Sequence, residues 1–282
     1  MNIGTSVPLP AYTIDPAFMA KKAEELGFES IWYAEHPAVP VHSTSPFPAT
    51  GGEIPWTYSH FTDPYIALAR ASGATRTIKL GTGITLVPER NPLLLAKEIA
   101  SLDLFSGGRF LFGIGVGWNA EEMEDHGTAF PTRAKLVRER VEAMKAIWTK
   151  SKAEYSGEFV NFPEMMAWPK CVQKPHAPVI VGGAFPQAAR RAVRYGDGWI
   201  PLAGRGDIMT AIGKFREMLK EAGRDEASCP ITLFGCVDDA DTLKRYRDAG
   251  VVRACVSLPP EKGDTVLPVL DRWAGLIRQV NG

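Results

Sequence analysis

An acid and an imidazole stand side by side at Glu35-His36, just beyond the apolar run SIWY at 30–33. Histidine titrates near neutral pH, and a neighbouring carboxylate fixes its tautomer. The pair therefore suits general acid–base chemistry at a strand end, against the plain alternative of a structural histidine. The other histidines, His42, His60, His126 and His176, show no metal-ligand spacing. Cys171, Cys229, Cys236 and Cys255 form no Cys-x-x-Cys pair, so no metal is expected and the four thiols read as reduced and structural.

Glycine marks the second set of chemical positions. Gly81 and Gly83 interrupt one apolar run, KLGTGITLV, and Gly113, Gly115 and Gly117 alternate through another, RFLFGIGVG. Glycine weakens a strand, so it signals a bulge, a bend or a ligand pressed against the backbone. Both runs open at the same end. The functional reading is a planar ligand over Thr82-Gly83-Ile84 and Gly115-Val116-Gly117-Trp118; the structural reading is a pair of bends. Gly182-Gly183-Ala184 precedes a helix start in VGGAFPQAARR and is either a phosphate cradle or a tight turn. Arg90 and Asn91 follow the first glycine run as solvated residues or as anion contacts.

The segment GVGWNA also fits the dinucleotide pattern G-x-G-x-x-A behind a strand, which points to a nicotinamide-dependent dehydrogenase. Two facts weigh against it. Three strand–helix units precede the motif, and about twenty residues on the only acid is Glu139, inside a helical pattern.

These positions need a frame, and the punctuation supplies one. Asp15-Pro16 and Asp63-Pro64 cap helices, Pro92 starts another, and Gly27 and Gly107-Gly108 end two of them. Strands read at Asn2–Val7, Ser30–Tyr33, the two glycine runs, PVIVGG, GWIPL, ITLFGCV and RACVSLP. Helices fit between them, the last interrupted by Pro268. Eight strands alternating with eight helices predict a (β/α)₈ TIM barrel, one domain over residues 1–282, ahead of a doubly wound sheet. Two insertions stand out. PAVPVHSTSPFPATGGEIPWTYSH, with five prolines, follows strand 2 and reads as a lid carrying Trp56, Tyr58 and Phe61; YSGEFVNF reads as a hairpin before strand 5. Trp32, Trp148, Trp199 and Trp273 fall in periodic segments and read as core, whereas Trp118 stands at the rim.

The balance of charge excludes other classes. Lys+Arg and Asp+Glu are equal at 32, so no basic field recruits nucleic acid or anionic lipid. No apolar run has membrane-spanning length, and Asn2–Val7 reads as a strand rather than as a signal peptide. A cytoplasmic enzyme with a small-molecule substrate is the expectation.

Taken together, ELGFESIWYAEH, LGTGITLVPERNPLLLAKEIASLDLFSGGRFLFGIGVGW, YSGEFVNFP and PVIVGGAFPQAARRAVRYGDGWIP resemble the bacterial-luciferase-like flavin oxidoreductases, and the likeness covers the whole chain. More narrowly, the chain is similar to the branch that uses coenzyme F420, an 8-hydroxy-5-deazaflavin, in place of FMN. The resemblance implies hydride transfer without oxygen insertion; an FMN-dependent monooxygenase is the alternative, with a non-catalytic coenzyme-binding protein behind it. It implies a non-prolyl cis peptide at Gly83-Ile84, backing the coenzyme ring. It places His36 as the proton-transferring residue, with Glu35 holding its tautomer or touching the coenzyme. Thr82, Gly83, Ile84, Gly115, Val116, Gly117, Trp118, Gly182, Gly183 and Ala184 are the implied coenzyme contacts. Relatives that oxidise sugar phosphates place a glutamate where this chain has Trp118, so a less polar substrate is implied here. A homodimer is implied as well.

Overall fold

The computed structural model describes residues 1–9 and 12–281. Eight parallel strands close into a barrel. They are β1 (Asn2–Val7), β2 (Ser30–Tyr33), β3 (Lys79–Thr82), β5 (Phe110–Gly115), β8 (Val179–Gly182), β9 (Gly198–Ile200), β10 (Ile231–Phe234) and β11 (Val251–Ser257). Each pairs with its neighbour in that order, β1 pairs with β11, and β3 meets β5 through Leu80↔Phe110 and Gly81↔Leu111. A closed ring has no free edge, so every barrel strand has two partners.

Short side-chain caps set the helix starts. Asp15 accepts from Ala17 N–H and Phe18 N–H at the head of α1 (Pro16–Glu25), Asp63 from Tyr65 and Ile66 at α2 (Pro64–Ala74), and Asn91 from Leu93 and Leu94 at α3 (Pro92–Phe105). Proline follows each cap, where its missing N–H has no partner to lose. The Asn91 cap answers one sequence question: that residue is structural, not an anion contact.

The sequence reading had one break to correct in strand 3. The run KLGTGITLV divides at a cis peptide between Gly83 and Ile84 into β3 and a two-residue continuation, β4 (Thr85–Leu86), which pairs with β5. After β5 the chain folds into α4 (Ala120–Asp125), capped by Asn119, before the long α5 (Arg133–Thr149). Beyond it, β6 (Ala153–Ser156) and β7 (Asn161–Met165) form the expected antiparallel hairpin. Glu139 of α5 accepts from Phe159 N–H at 2.8 Å and Val160 N–H at 3.2 Å. That carboxylate is occupied by the hairpin, which removes the acid the dinucleotide reading needed. The barrel is completed by α6 (Gln187–Tyr195), α7 (Ile208–Glu221), α8 (Ala240–Asp248) and α9 (Gly263–Asn281), the last running through Pro268.

Inside the barrel, Trp32, Leu111, Ile180, Ile200, Phe234 and Cys255 form a packed layer of their own, with Ile84 against its upper side. Several glycines exist for this layer. A Cβ on Gly81 would run into the Trp32 ring, and one on Gly113 into the carbonyl of Thr82. At the opposite mouth, Arg253 closes the layer by a two-pronged pair with Glu29, Nε–Oε2 and Nη2–Oε1 both at 2.5 Å. The four cysteines are buried free thiols. Trp32, Trp148, Trp199 and Trp273 are all core. No helix among the described residues is long and apolar enough to cross a membrane.

Candidate active site

The C-terminal strand ends carry the polar groups, as a barrel requires. Glu35 and His36 leave β2 together but turn to different partners. The Glu35 carboxylate accepts the Leu86 N–H at 2.7 Å and the Arg90 Nε–H at 2.6 Å, with a second Arg90 contact through Nη2. Arg90 also reaches Asp63 at 2.5 Å and lies 4.7 Å from the centre of the Tyr65 ring. Burial pushes the Glu35 carboxyl up while Arg90 pulls against it. Both residues are internal struts that pin the chain just after the cis peptide. Arg90 is therefore neither solvated nor an anion contact, and Glu35 does not orient the histidine.

That task falls to Glu122. His36 Nδ1 lies 2.7 Å from Glu122 Oε2, across 86 positions of sequence, and both side chains are buried. A carboxylate only accepts, so Nδ1 carries the hydrogen and Nε2 is left as the working nitrogen. Aromatic rings surround the pair. Trp118 is 5.6 Å and Tyr58 4.8 Å from the His36 ring, and Phe47 packs edge-on against Trp118 at 5.7 Å. Phe47 and Tyr58 come from the insertion after β2, which thus folds back over the mouth. Its hold is polar. Ser43 and Ser45 hydroxyls donate to Glu121 Oε2, while Thr44 donates its N–H and hydroxyl to Oε1, both at 2.6 Å. Those donors keep the Glu121 carboxyl far below the usual carboxylate range.

The proposed coenzyme contacts separate into two groups. Thr82 is fully buried, its hydroxyl donating to Gly113 O at 2.7 Å. Gly115 and Gly182 lie buried beneath Ile84: a Cβ on Gly115 would collide with Ile84 Cδ1, and one on Gly182 would stand 2.9 Å from Ile84 Cγ2. These three shape the rim from behind. Gly83, Ile84, Val116, Gly117 and Trp118 are half-buried at the mouth, and Gly183 and Ala184 are exposed there. Gly183 has φ +124°, open to glycine alone.

The sequence reading missed a cationic shelf beside Gly183. Arg191 Nη2 lies 3.8 Å from the place a Gly183 Cβ would take. The Nε groups of Arg191 and Arg133 are buried without a hydrogen-bond partner. Burial pushes both guanidinium pKa values down, and for Arg133 the charge of Arg191 adds to it. A partly desolvated Arg191 beside the exposed Gly183, with Arg133 close enough to feel its charge while donating to Phe130 O at 2.8 Å, fits the anionic tail of a flavin-type coenzyme. The signal for Arg191 lay in AARRAVR, just after the Gly182-Gly183 turn; Arg133, at the head of α5, had none.

The family model described as luciferase-like monooxygenase matches residues 15–256. The chain belongs to that family. An uncharacterized protein of Mycobacterium tuberculosis is 37% identical over 264 residues, 93% of each chain. The F420-dependent hydroxymycolic acid dehydrogenase of the same species is 28% identical over 274 residues, 90% of this chain and 70% of the relative. In fold, the luciferase-like chain is similar to the crystal structure of the monooxygenase RslO1 from Streptomyces bottropensis, with a TM-score of 0.80, 19% identity and 100% of both chains covered. It is a luciferase-like oxidoreductase on a (β/α)₈ barrel.

Proposed function

We propose that the protein is a coenzyme F420-dependent oxidoreductase that transfers a hydride between the coenzyme and a small, weakly polar organic substrate. The observation that carries the reading is the His36–Glu122 pair, walled by Trp118, Tyr58, Phe47 and Phe61 at the barrel mouth. The F420-dependent relative supports the choice of coenzyme. A deazaflavin, when bound, supplies a ring carbon that gives or takes a hydride in one two-electron step.

The protein supplies the rest. Gly83, Ile84, Val116, Gly117, Trp118, Gly183 and Ala184 would hold the coenzyme, and Arg133 and Arg191 its anionic tail. His36 Nε2 takes a proton from a substrate hydroxyl, or returns one to a carbonyl, while Glu122 keeps the ring in register. The aromatic wall excludes water and favours an apolar substrate body over a phosphorylated sugar. Turnover under labelled oxygen, with product mass as readout, tests the reading. It predicts no label, and a labelled product would show an FMN-type monooxygenase.

The same reading includes a cytosolic homodimer. Ile66 of α2 and Leu94 and Phe105 of α3 are large apolar side chains exposed at 72%, 66% and 78%, which contact with a second copy would cover. Light scattering reads the mass directly.

A further inference from the structure

Near the His36–Glu122 pair stands a third carboxyl, that of Glu89. Glu89 follows β4 in a short turn, Val87–Glu89, and is 8% exposed; Glu122 is 1% exposed. Both Glu89 oxygens and Glu122 Oε1 are buried without a hydrogen-bond partner. The Glu89 carboxyl stands beside the rim, its Oε1 3.6 Å from where a Gly117 Cβ would lie.

The charges that face it disfavour a second carboxylate beside Glu122. Glu122 comes from α4 and Glu35 from the end of β2, both acids. Arg90, the nearby cation, gives its donors to Glu35, Asp63 and Glu98. Arg140 of α5 reaches the same turn but donates to the Val87 carbonyl at 2.7 Å. His36 offers one hydrogen, to Glu122 Oε2. Two buried carboxylates with no cation between them repel, and a single proton removes the repulsion while giving one orphaned Glu89 oxygen a hydrogen and Glu122 Oε1 a donor.

We infer that Glu89 is carried as a neutral carboxylic acid that donates its hydrogen to Glu122 Oε1, so that Glu89, Glu122 and His36 form one buried proton-holding unit. Glu89 is thus a positioning residue, acting on His36 through Glu122. It leaves a single negative charge beside the imidazole and fixes which way the Glu122 carboxylate faces. Burial and then the Glu122 charge push the Glu89 carboxyl up to about 9, in keeping with that geometry. The inference rests on the proposed function only for its purpose; the proton itself is present or absent whatever coenzyme binds.

The experiment uses the coenzyme-free full chain at neutral pH. Infrared difference spectra compare wild type with Glu89→Gln and Glu122→Gln. The expected result is a protonated-carboxyl C=O band that is absent from Glu89→Gln and shifted, but retained, in Glu122→Gln. Nitrogen-15 NMR of His36 should keep the Nδ1–H tautomer in Glu89→Gln. Thermal stability gives an independent arm. The folded state holds a proton that the unfolded chain has released, so wild-type stability falls as pH rises from the ordinary carboxylate range to about 9, and this slope is lost in Glu89→Gln. A spectrum without such a band, or a band that survives Glu89→Gln and vanishes in Glu122→Gln, overturns the inference.

Discussion

His36 and Glu122 meet through Nδ1 and Oε2 at 2.7 Å, although one leaves β2 and the other sits on the short helix after β5. Helix α4 is therefore part of the frame that holds the His36 ring, and the loops above the barrel must be in place for the pair to form.

The first prediction follows directly. His36→Ala removes the proton carrier and should lower turnover by ~10²–10⁴. Glu122→Leu should lower it less and move the neutral imidazole of coenzyme-free protein to the Nε2–H tautomer, read by nitrogen-15 NMR. Glu35→Gln should instead lower the melting temperature, because Arg90 and the Leu86 N–H lose a charged partner. A Glu35 variant that loses rate but keeps its stability would return catalysis to that acid.

The latch on the lid gives the second. Glu121→Ala frees Ser43, Thr44 and Ser45, and limited proteolysis within residues 37–60 should speed up by roughly tenfold, the worth of one charge-assisted hydrogen bond. The pH dependence has a definite sign. A depressed carboxyl contributes its full hold above the ordinary carboxylate value and loses it progressively as pH falls from there toward its own lower value. Cleavage should thus be flat from neutral to mildly acidic pH. It should then rise steadily as pH falls below the usual carboxylate range, and a pH-independent rate across that range would mean that Glu121 is not the latch.

A third prediction concerns Gly83. A Cβ there would stand 2.8 Å from Phe234 Cε2 in the barrel layer. Gly83→Ala should cost about 1–3 kcal/mol of stability by overpacking, and Phe234→Leu added to it should restore part of the loss. Additive melting-temperature losses in the double variant would show that the two sites do not touch.

How much of this was written in the sequence varies with distance along the chain. Strands, caps and the hairpin were legible because glycine, proline and Asp-Pro punctuation act within a few residues. The cis bond at Gly83-Ile84 came from family likeness and stands where that likeness put it. Glu35 was misread because adjacency in sequence was taken for adjacency in space: consecutive residues leaving a strand point to opposite sides. Glu122 was hidden in AEEMED, which reads as a solvated run; Asn119 three residues earlier, its side chain accepting from Glu122 N–H, was the local sign of a helix start. The glycines of β3 and β5 were correctly flagged as close approaches, but the approaching groups at Gly81, Gly113 and Gly115 are Trp32, the Thr82 carbonyl and Ile84. No one-dimensional pattern distinguishes a side chain from a ligand.

The central claim is the coenzyme, and fluorescence titration of the coenzyme-free protein tests it most directly. Wild type is titrated with F420 and with FMN, and Arg191→Ala serves as the control for the cationic shelf beside Gly183. Wild type should bind F420 tightly and FMN weakly, and Arg191→Ala should lose roughly tenfold or more of its F420 affinity with the charged contact. Micromolar binding of FMN with none of F420 would contradict the claim.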